Sequence, residues 1–355
     1  MSCVSVKAID LFCGAGGLTC GLQQAGISVV AGVDFDENCR YAYTHNNDVY
    51  FLHKKIQDIT AEELNRLYGE SDIKILVGCA PCQPFSTHTL KYKKSIGSGK
   101  DERWFLINDF LRLIRDVKPD IVSMENVPNL AEQEIFHSFV RRLRRAVYSV
   151  THSVVYCPDY GIPQKRNRLV LLASRHGKIS IIKPTCLPEH YHTVRDAIGT
   201  LTPITAGQCY QGDNLHRASK LSTLNLKRIK ASKPGGTWHE WDEALLCDCH
   251  KRESGKTYAS VYSRMEWDKP SPTITTEFYN FGTGRFGHPE QDRALSLREG
   301  ALLQTFPLDY EFLPEGFISY KQAGKMIGNA VPVALGKAIG QSIIQHINTW
   351  RKQNE

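Results

Sequence analysis

Val6-Lys7-Ala8-Ile9-Asp10-Leu11-Phe12-Cys13-Gly14-Ala15-Gly16-Gly17-Leu18 opens the chain as an apolar, strand-like run that breaks into glycines. Glycines at such a turn let a ligand approach the backbone and let a helix pack closely on a sheet. Asp34 ends the next apolar run, 20 residues after Gly14, where an acid can grip the ribose hydroxyls of an adenosine cofactor. The turn departs from G-x-G-x-x-G at Thr19. On these residues alone a dinucleotide site and a purely structural glycine turn both stay open.

Outward from that turn, short apolar runs alternate with helical segments up to about Ile182. The strands are expected at Val6–Phe12, Val29–Phe35, Ile73–Gly78, Ile121–Glu125, Ser149–Tyr156 and Arg168–Ala173. Between two of them, Phe105, Leu106, Phe110, Leu113, Ile114 and Val117 recur at helical spacing. Lys118-Pro119-Asp120 then stops that helix. The alternation predicts an α/β fold, a Rossmann-like, doubly wound and mostly parallel sheet covered on both faces. From Pro184 to about Phe317 the text turns rich in Gly, Pro, Thr, His and Trp, which predicts a smaller, irregular, β-rich second domain. Helical periodicity returns near Ser319, and Val333–Trp350 reads as an amphipathic helix. The expected domains are therefore 1–183 plus 318–355, with 184–317 between them.

The 355 residues are 41% hydrophobic and 23% charged, ordinary for a globular chain with a sizeable core. No apolar run is long enough to span a bilayer and no signal peptide precedes the first strand, so the expected address is the cytoplasm, with no membrane partner. Reduced thiols are then expected for the eleven cysteines. The net charge of +7 permits a polyanionic partner. Residues 184–317 hold 15 basic and 17 acidic side chains, so positive charge is local rather than general. One cluster is Lys91, Lys93, Lys94, Lys100 and Arg103. A second is Arg217, Lys220, Lys227, Arg228, Lys230 and Lys233, with no acid between Asp213 and Glu240. A third, Arg141, Arg142, Arg144 and Arg145, reads as a solvated helix face.

Four further segments bear on chemistry. Gly78-Cys79-Ala80-Pro81-Cys82-Gln83-Pro84-Phe85-Ser86 follows a strand, at the edge where doubly wound sheets bind ligands. Its Cys82, held by flanking prolines, is a candidate nucleophile. Cys79-x-x-Cys82 also spells a redox or zinc pair, but no second C-x-x-C completes a four-ligand site. The first basic cluster follows directly, either as a loop that closes on phosphates or as plain surface. Ser123-Met124-Glu125-Asn126-Val127-Pro128 ends another strand and brings Glu125 to the same crevice. Tyr160-Gly161-Ile162-Pro163-Gln164-Lys165-Arg166-Asn167-Arg168 leads into a buried strand, and Gly328-Asn329-Ala330-Val331-Pro332 precedes the last helix.

Taken in order with the opening turn, these segments resemble the motifs of the DNA cytosine-C5 methyltransferase family, over nearly the whole chain. Pro81-Cys82-Gln83, Glu125-Asn126-Val127, Gln164–Arg168 and Gly328–Pro332 carry the resemblance most specifically. Weaker matches are Arg293–Glu299 through Phe306-Pro307, and Trp267–Thr275. The resemblance implies S-adenosylmethionine as cofactor, with Phe12, Gly14 and Gly17 lining its pocket and Asp34 on the ribose. Phe35 would stack on adenine, Asp58 and Ile59 would read its edge, and Pro81, Leu106 and Asn329 would complete the pocket. Cys79 departs from the glycine that many relatives carry there.

The resemblance also implies the reaction. C5 of cytosine is a poor nucleophile, and a Cys82 thiolate adding to C6 makes it an enamine carbon that can take a methyl group. Glu125 would hold N3, Arg168 would hold O2, and Arg166 would support the site. Because C6 is out of reach in stacked double-stranded DNA, the cytosine must be flipped out. Residues 184–317 would recognise the target, with Gln83, Ser86, Lys91, Lys93, Arg103, Arg228 and Thr273 expected on the DNA. A monomer of prokaryotic or phage type, paired with a restriction endonuclease for the same site, is the implied setting. The alternative is a tRNA-methylating relative, but its Cys-Phe-Thr hallmark is absent. Cys247-x-Cys249-His250, with Cys209 and His239 near in sequence, is spaced too irregularly to predict a metal, and none is expected.

Overall fold

The computed structural model describes residues 5–80, 106–256 and 259–354. The chain divides into two compact units. The first runs to Tyr156 and resumes with Asn167–Thr185 and from Val331 onward; the second comprises Cys157–Arg166 and Cys186–Ala330. The division differs from the one expected at 184 and 317. Gln164 supplies the physical reason for the 157–166 excursion. Its amide donates to Leu303 O at 3.1 Å and Gln304 Oε1 at 2.9 Å, and its Oε1 accepts Ile274 N–H at 3.0 Å.

Seven strands form the sheet of the first unit: β1 Val6–Leu11, β2 Ser28–Asp34, β3 Tyr50–His53, β4 Ile73–Gly78, β5 Ile121–Asn126, β6 Ser149–Tyr156 and β7 Asn167–Ser174. Their order is β3-β2-β1-β4-β5-β7-β6. Pairings from β3 through β5 are parallel, and β7 runs antiparallel to both neighbours. The mostly parallel α/β sheet is as the alternation predicts. β3 escapes sequence reading because it is a four-residue edge strand whose Tyr50 is exposed. β5 is buried along its whole length, as expected of a strand covered on both faces.

Helix α1 (Gly17–Gln24) follows β1 and packs on the terminal helix Val333–Asn354. The two backbones approach so closely that a Cβ on Gly21 would sit 2.3 Å from Val333 O. Helix α2 (Arg40–Asn47) follows β2. Helix α3 (Ala61–Tyr68) starts at a capping box in which Thr60 and Glu63 satisfy each other's backbone N–H. Helix α4 (Leu106–Val117) buries Phe110, Leu113, Ile114 and Val117 on one face. It ends at Lys118, which takes a left-handed φ of 55° ahead of Pro119. Helix α5 (Glu134–Arg145) buries Phe136, Phe139, Val140 and Leu143 and exposes Arg141, Arg142, Arg144 and Arg145, the solvated face expected. Helices α3, α4 and α5 share one core with the sheet.

The second unit is irregular as expected, but it is not β-rich. Among the described residues it holds one two-stranded ladder, Cys209–Tyr210 with Asp213–Arg217, and a few isolated bridges. Buried arginines do much of the work that ladders do elsewhere. Arg264 donates to the carbonyls of Ile229, Ser232, His288 and Gln291. Arg293 donates to Ile204 O and Ala294 O and clasps Glu299 with two 2.7 Å bonds. Burial alone would raise the Glu299 carboxyl, yet Arg293, His288 and the Ser296 N–H together bring it down to about 2. A separate small core gathers Ile229, Trp238, Trp241, Phe281 and Ala294.

Candidate active site

Strand register places the candidate residues of the first unit on one edge. Leu11 pairs with both Val33 and Gly78, and Gly78 pairs with Met124, so the carboxyl ends of β1, β2, β4 and β5 align. The sheet order reverses between β1 and β4, which is where doubly wound sheets open a crevice. Because β7 is antiparallel, its beginning reaches that same edge, with Asn126 opposite Leu169.

At one end of this edge lies the glycine turn. Phe12 leaves β1 with a left-handed φ of 60°, strained for a bulky residue, and Gly14 and Gly16 continue at 51° and 91°. Nothing lies within 4 Å of the place a Gly14 Cβ would occupy. Asp34 closes the turn: its Oδ2 accepts Gly14 N–H and its Oδ1 accepts Asp36 N–H, each at 2.9 Å. Burial raises the Asp34 carboxyl above its ordinary value, against those two bonds, and Asp36 adds to the rise. Phe35 follows with its ring 58% exposed, free to stack on a flat ligand. Phe12 and Leu106 pack against the core beneath. Ile59 is buried, and Asp58 is exposed on the preceding turn.

Sequence reading missed two supports here. Arg112 of α4 donates to Ile59 O at 3.0 Å and Ile56 O at 2.9 Å, fixing the turn that carries Asp58. Beneath the glycines, Thr19 bonds both Asp10 Oδ2 at 2.8 Å and the Tyr43 hydroxyl at 2.9 Å. Burial, with a further push from Asp34, raises the Asp10 carboxyl to about 7 despite the Thr19 bond. Thr19, the departure from the dinucleotide pattern, thus has a partner that the pattern does not foresee.

At the other end stands Glu125, 2% exposed. Arg168 Nε lies 2.8 Å from its Oε1, a charge contact without the alignment of a hydrogen bond. The Cys79 thiol donates to its Oε2 at 2.7 Å. Asn126 turns the other way and donates to Ala80 O at 3.0 Å, tying β5 to the chain end of β4. The structure therefore brings Glu125, Arg168 and Cys79 together. Pro81, Cys82, Gln83, Ser86, Lys91, Lys93 and Arg103 lie outside the described residues.

Other expected residues fall in the second unit. Arg166 is buried and donates to Ile274 O and Ala330 O, each at 3.3 Å, so it braces backbone of the second unit. Thr273 donates to Lys165 O at 2.9 Å, and Asn329 is exposed at the end of its helix. Arg228 corrects an expectation. It was expected on DNA from its place in a basic stretch, but it is buried. It donates to Leu245 O and Asn225 Oδ1 and lies over the Trp241 and Tyr262 rings. Cys247, Cys249 and His250, where no metal was expected, bring their ligand atoms within 4.8 Å of one another. Cys209 and His239 do not belong to that group.

Comparison with known proteins places these features in a family. The family described as C-5 cytosine-specific DNA methylase matches residues 6–345. The chain is 55% identical to the Type II methylase M.HgiDII of Herpetosiphon aurantiacus, over 94% of each chain. It is 31% identical to the Type II methyltransferase M1.HphI of Haemophilus parahaemolyticus, over 97% of this chain and 88% of that one. Among solved structures, a prophage-encoded protein of E. coli assigned as a DNA modification methyltransferase superposes with a TM-score of 0.73 at 21% identity, covering 97% of this chain and all of the other. The DNMT2 of Spodoptera frugiperda gives 0.66 at 18% identity, covering 96% of this chain and 100% of that one. These two share the fold. With its family matched from the first strand into the terminal helix, and a relative more than half identical along nearly all of both sequences, this chain belongs to the C-5 cytosine-specific DNA methylases.

Proposed function

We propose that this enzyme methylates C5 of one cytosine in a specific double-stranded DNA sequence, through a covalent bond from Cys82 to C6 of a flipped-out base. The observation that carries the reading is Glu125. It is a buried carboxylate at the sheet's carboxyl edge, charge-paired to Arg168, whose Oε1 has no aligned hydrogen-bond donor among the described residues. An oxygen so placed suits the N3 edge of a cytosine, and Arg168 suits its O2. Holding both polarises the ring, so that C6 accepts the Cys82 thiolate and C5 gains electron density. Once C5 carries the new methyl group, a base takes the C5 proton, and Cys82 leaves as the ring regains its aromaticity.

The family and fold imply S-adenosylmethionine, which supplies an electrophilic methyl group on a sulfonium. The glycine turn fits it: the backbone at Gly14 is open to approach, Asp34 offers acceptor oxygens, and the Phe35 ring is exposed. Gly17, Asp58, Ile59, Pro81, Leu106 and Asn329 are the further residues assigned to that pocket. Gln83, Ser86, Lys91, Lys93, Arg103 and Thr273 are assigned to DNA, and Arg166 to bracing. The second unit is assigned to sequence recognition.

The Type II names of the relatives favour a restriction–modification setting; within it we propose a cytoplasmic monomer acting beside an endonuclease of the same specificity. No described helix is long and apolar enough to cross a membrane. The tRNA alternative has less support, because the DNMT2 likeness is one of fold. Bisulfite sequencing of genomic DNA and of tRNA from cells producing the enzyme tests the reading. Protected cytosines should fall in one recurring short DNA sequence and vanish with Cys82→Ala. Unmodified DNA, or protection confined to tRNA, would overturn it.

A further inference from the structure

We infer that Cys247, Cys249 and His250 bind one thiophilic divalent cation, zinc above all, which clamps residues 243–256 onto the aromatic core of the second unit. The three ligand atoms already lie within 4.8 Å of one another. Tetrahedral zinc with sulfur at about 2.3 Å asks for separations of about 3.8 Å, so the set closes by roughly an ångström. A tight turn assembles it: His250 N–H bonds Cys247 O at 2.9 Å, which brings side chains three apart to one side. The following segment folds back so closely that a Cβ at Gly255 would meet Cys249 O at 1.8 Å.

His250 is prepared for a ligand's role. Its ring is 4% exposed, stacked 3.9 Å from Trp238 and met edge-on by Tyr262. Neither nitrogen is committed to a strong bond. Nε2 has no partner among the described residues, and Nδ1 receives only a long 3.4 Å contact from Cys247 N–H. A buried ring nitrogen left so is costly, by about 1–3 kcal/mol, and a metal removes that cost. Tyr262, whose hydroxyl bonds Cys247, is the outer-shell group that ligating sulfurs commonly have. Two thiolates and one imidazole form a soft donor set, which selects zinc over magnesium or calcium. Each thiol gives up its proton on binding, and the fourth position is left to water or a further donor.

The test uses the full-length protein, reduced, zinc-saturated and dialysed. The wild type should keep about one zinc per chain. With cobalt in place of zinc it should show sulfur-to-cobalt charge-transfer absorption. Cys249→Ser replaces an exposed side chain and should fold, yet lose the charge-transfer band and weaken zinc binding at least about a hundredfold. Cys186→Ser, outside the group, should retain both. Chelation should lower the melting temperature of the wild type and leave that of Cys249→Ser unchanged. Less than about a tenth of an equivalent of zinc in the wild type, cobalt absorption that survives Cys247→Ser and Cys249→Ser, or a Cys247–Cys249 disulfide under reducing conditions would overturn the inference.

Discussion

Arg168 Nε stands 2.8 Å from Glu125 Oε1, with both side chains nearly enclosed: 13% and 2% exposed. The pair exists because β7 runs antiparallel and begins where β5 ends. Removing one partner strands a buried charge, which typically costs about 3–5 kcal/mol. Arg168→Met should therefore lower the unfolding free energy more than Glu125→Gln combined with Arg168→Met. Urea unfolding of the two variants checks this. Glu125→Gln alone should slow single-turnover methylation by about 100- to 10,000-fold while leaving DNA affinity within a few fold in a shift assay.

Asp34→Ala removes the acceptor of two backbone N–H groups at the glycine turn and, on this account, of the ribose. Hydrogen bonds to a charged group are worth about 1.5–3 kcal/mol. Cofactor affinity by calorimetry should fall roughly 10- to 100-fold, with DNA binding in the absence of cofactor unchanged. Equal loss of both in a folded variant would count against the assignment.

Asp10 gives a pH prediction. A carboxyl that keeps its proton to about 7 when folded, against 3.8 when unfolded, binds more protons in the folded state between those values. Its contribution to stability therefore declines as pH rises from about 4 to about 7, by roughly 4 kcal/mol at most. Asp10→Asn cannot ionise. The variant should gain on the wild type across that window, measured by chemical denaturation at matched pH values. A difference that stays flat from pH 4 to 7 would refute it. Groups such as His288, which burial lowers to about 4, are common to both proteins and cancel in the comparison.

Much of the first unit was legible because its signals are local. Strand ends, the glycine turn and the helical spacing of Phe110, Leu113, Ile114 and Val117 each depend on a few neighbouring residues. The second unit was not, because its order comes from long-range bonds. Arg264 satisfies carbonyls at Ile229 and His288, separations that no period reveals. Arg228 shows the same limit: sequence displays its charge but not the Trp241 and Tyr262 rings that enclose it. Arg112 carries no signal beyond an arginine on a helix, and the turn it holds lies more than 50 residues away.

If the second unit chooses the target, residues 186–292 should carry that choice with them. Replacing residues 186–292 with the matching segment of a relative of different specificity should move methylation to that relative's sequence, read by bisulfite sequencing. The exchange leaves out Gln304 and Ala330, whose bonds to Gln164 and Arg166 brace the returning chain. A folded, active chimera that keeps its original sequence would contradict the assignment.

The covalent role of Cys82 is the centre of the account, and trapping tests it most directly. Duplex DNA carrying 5-fluorocytosine at the target is incubated with enzyme and S-adenosylmethionine, then run on a denaturing gel. After methyl transfer C5 bears fluorine, which no base removes as a cation, so elimination of Cys82 stalls. An enzyme–DNA adduct that needs S-adenosylmethionine is expected. It should disappear with Cys82→Ser, whose hydroxyl is barely ionised where a thiol readily can be, and persist with Cys79→Ser. An adduct that survives Cys82→Ser, or no adduct from an enzyme that methylates ordinary DNA, would contradict it.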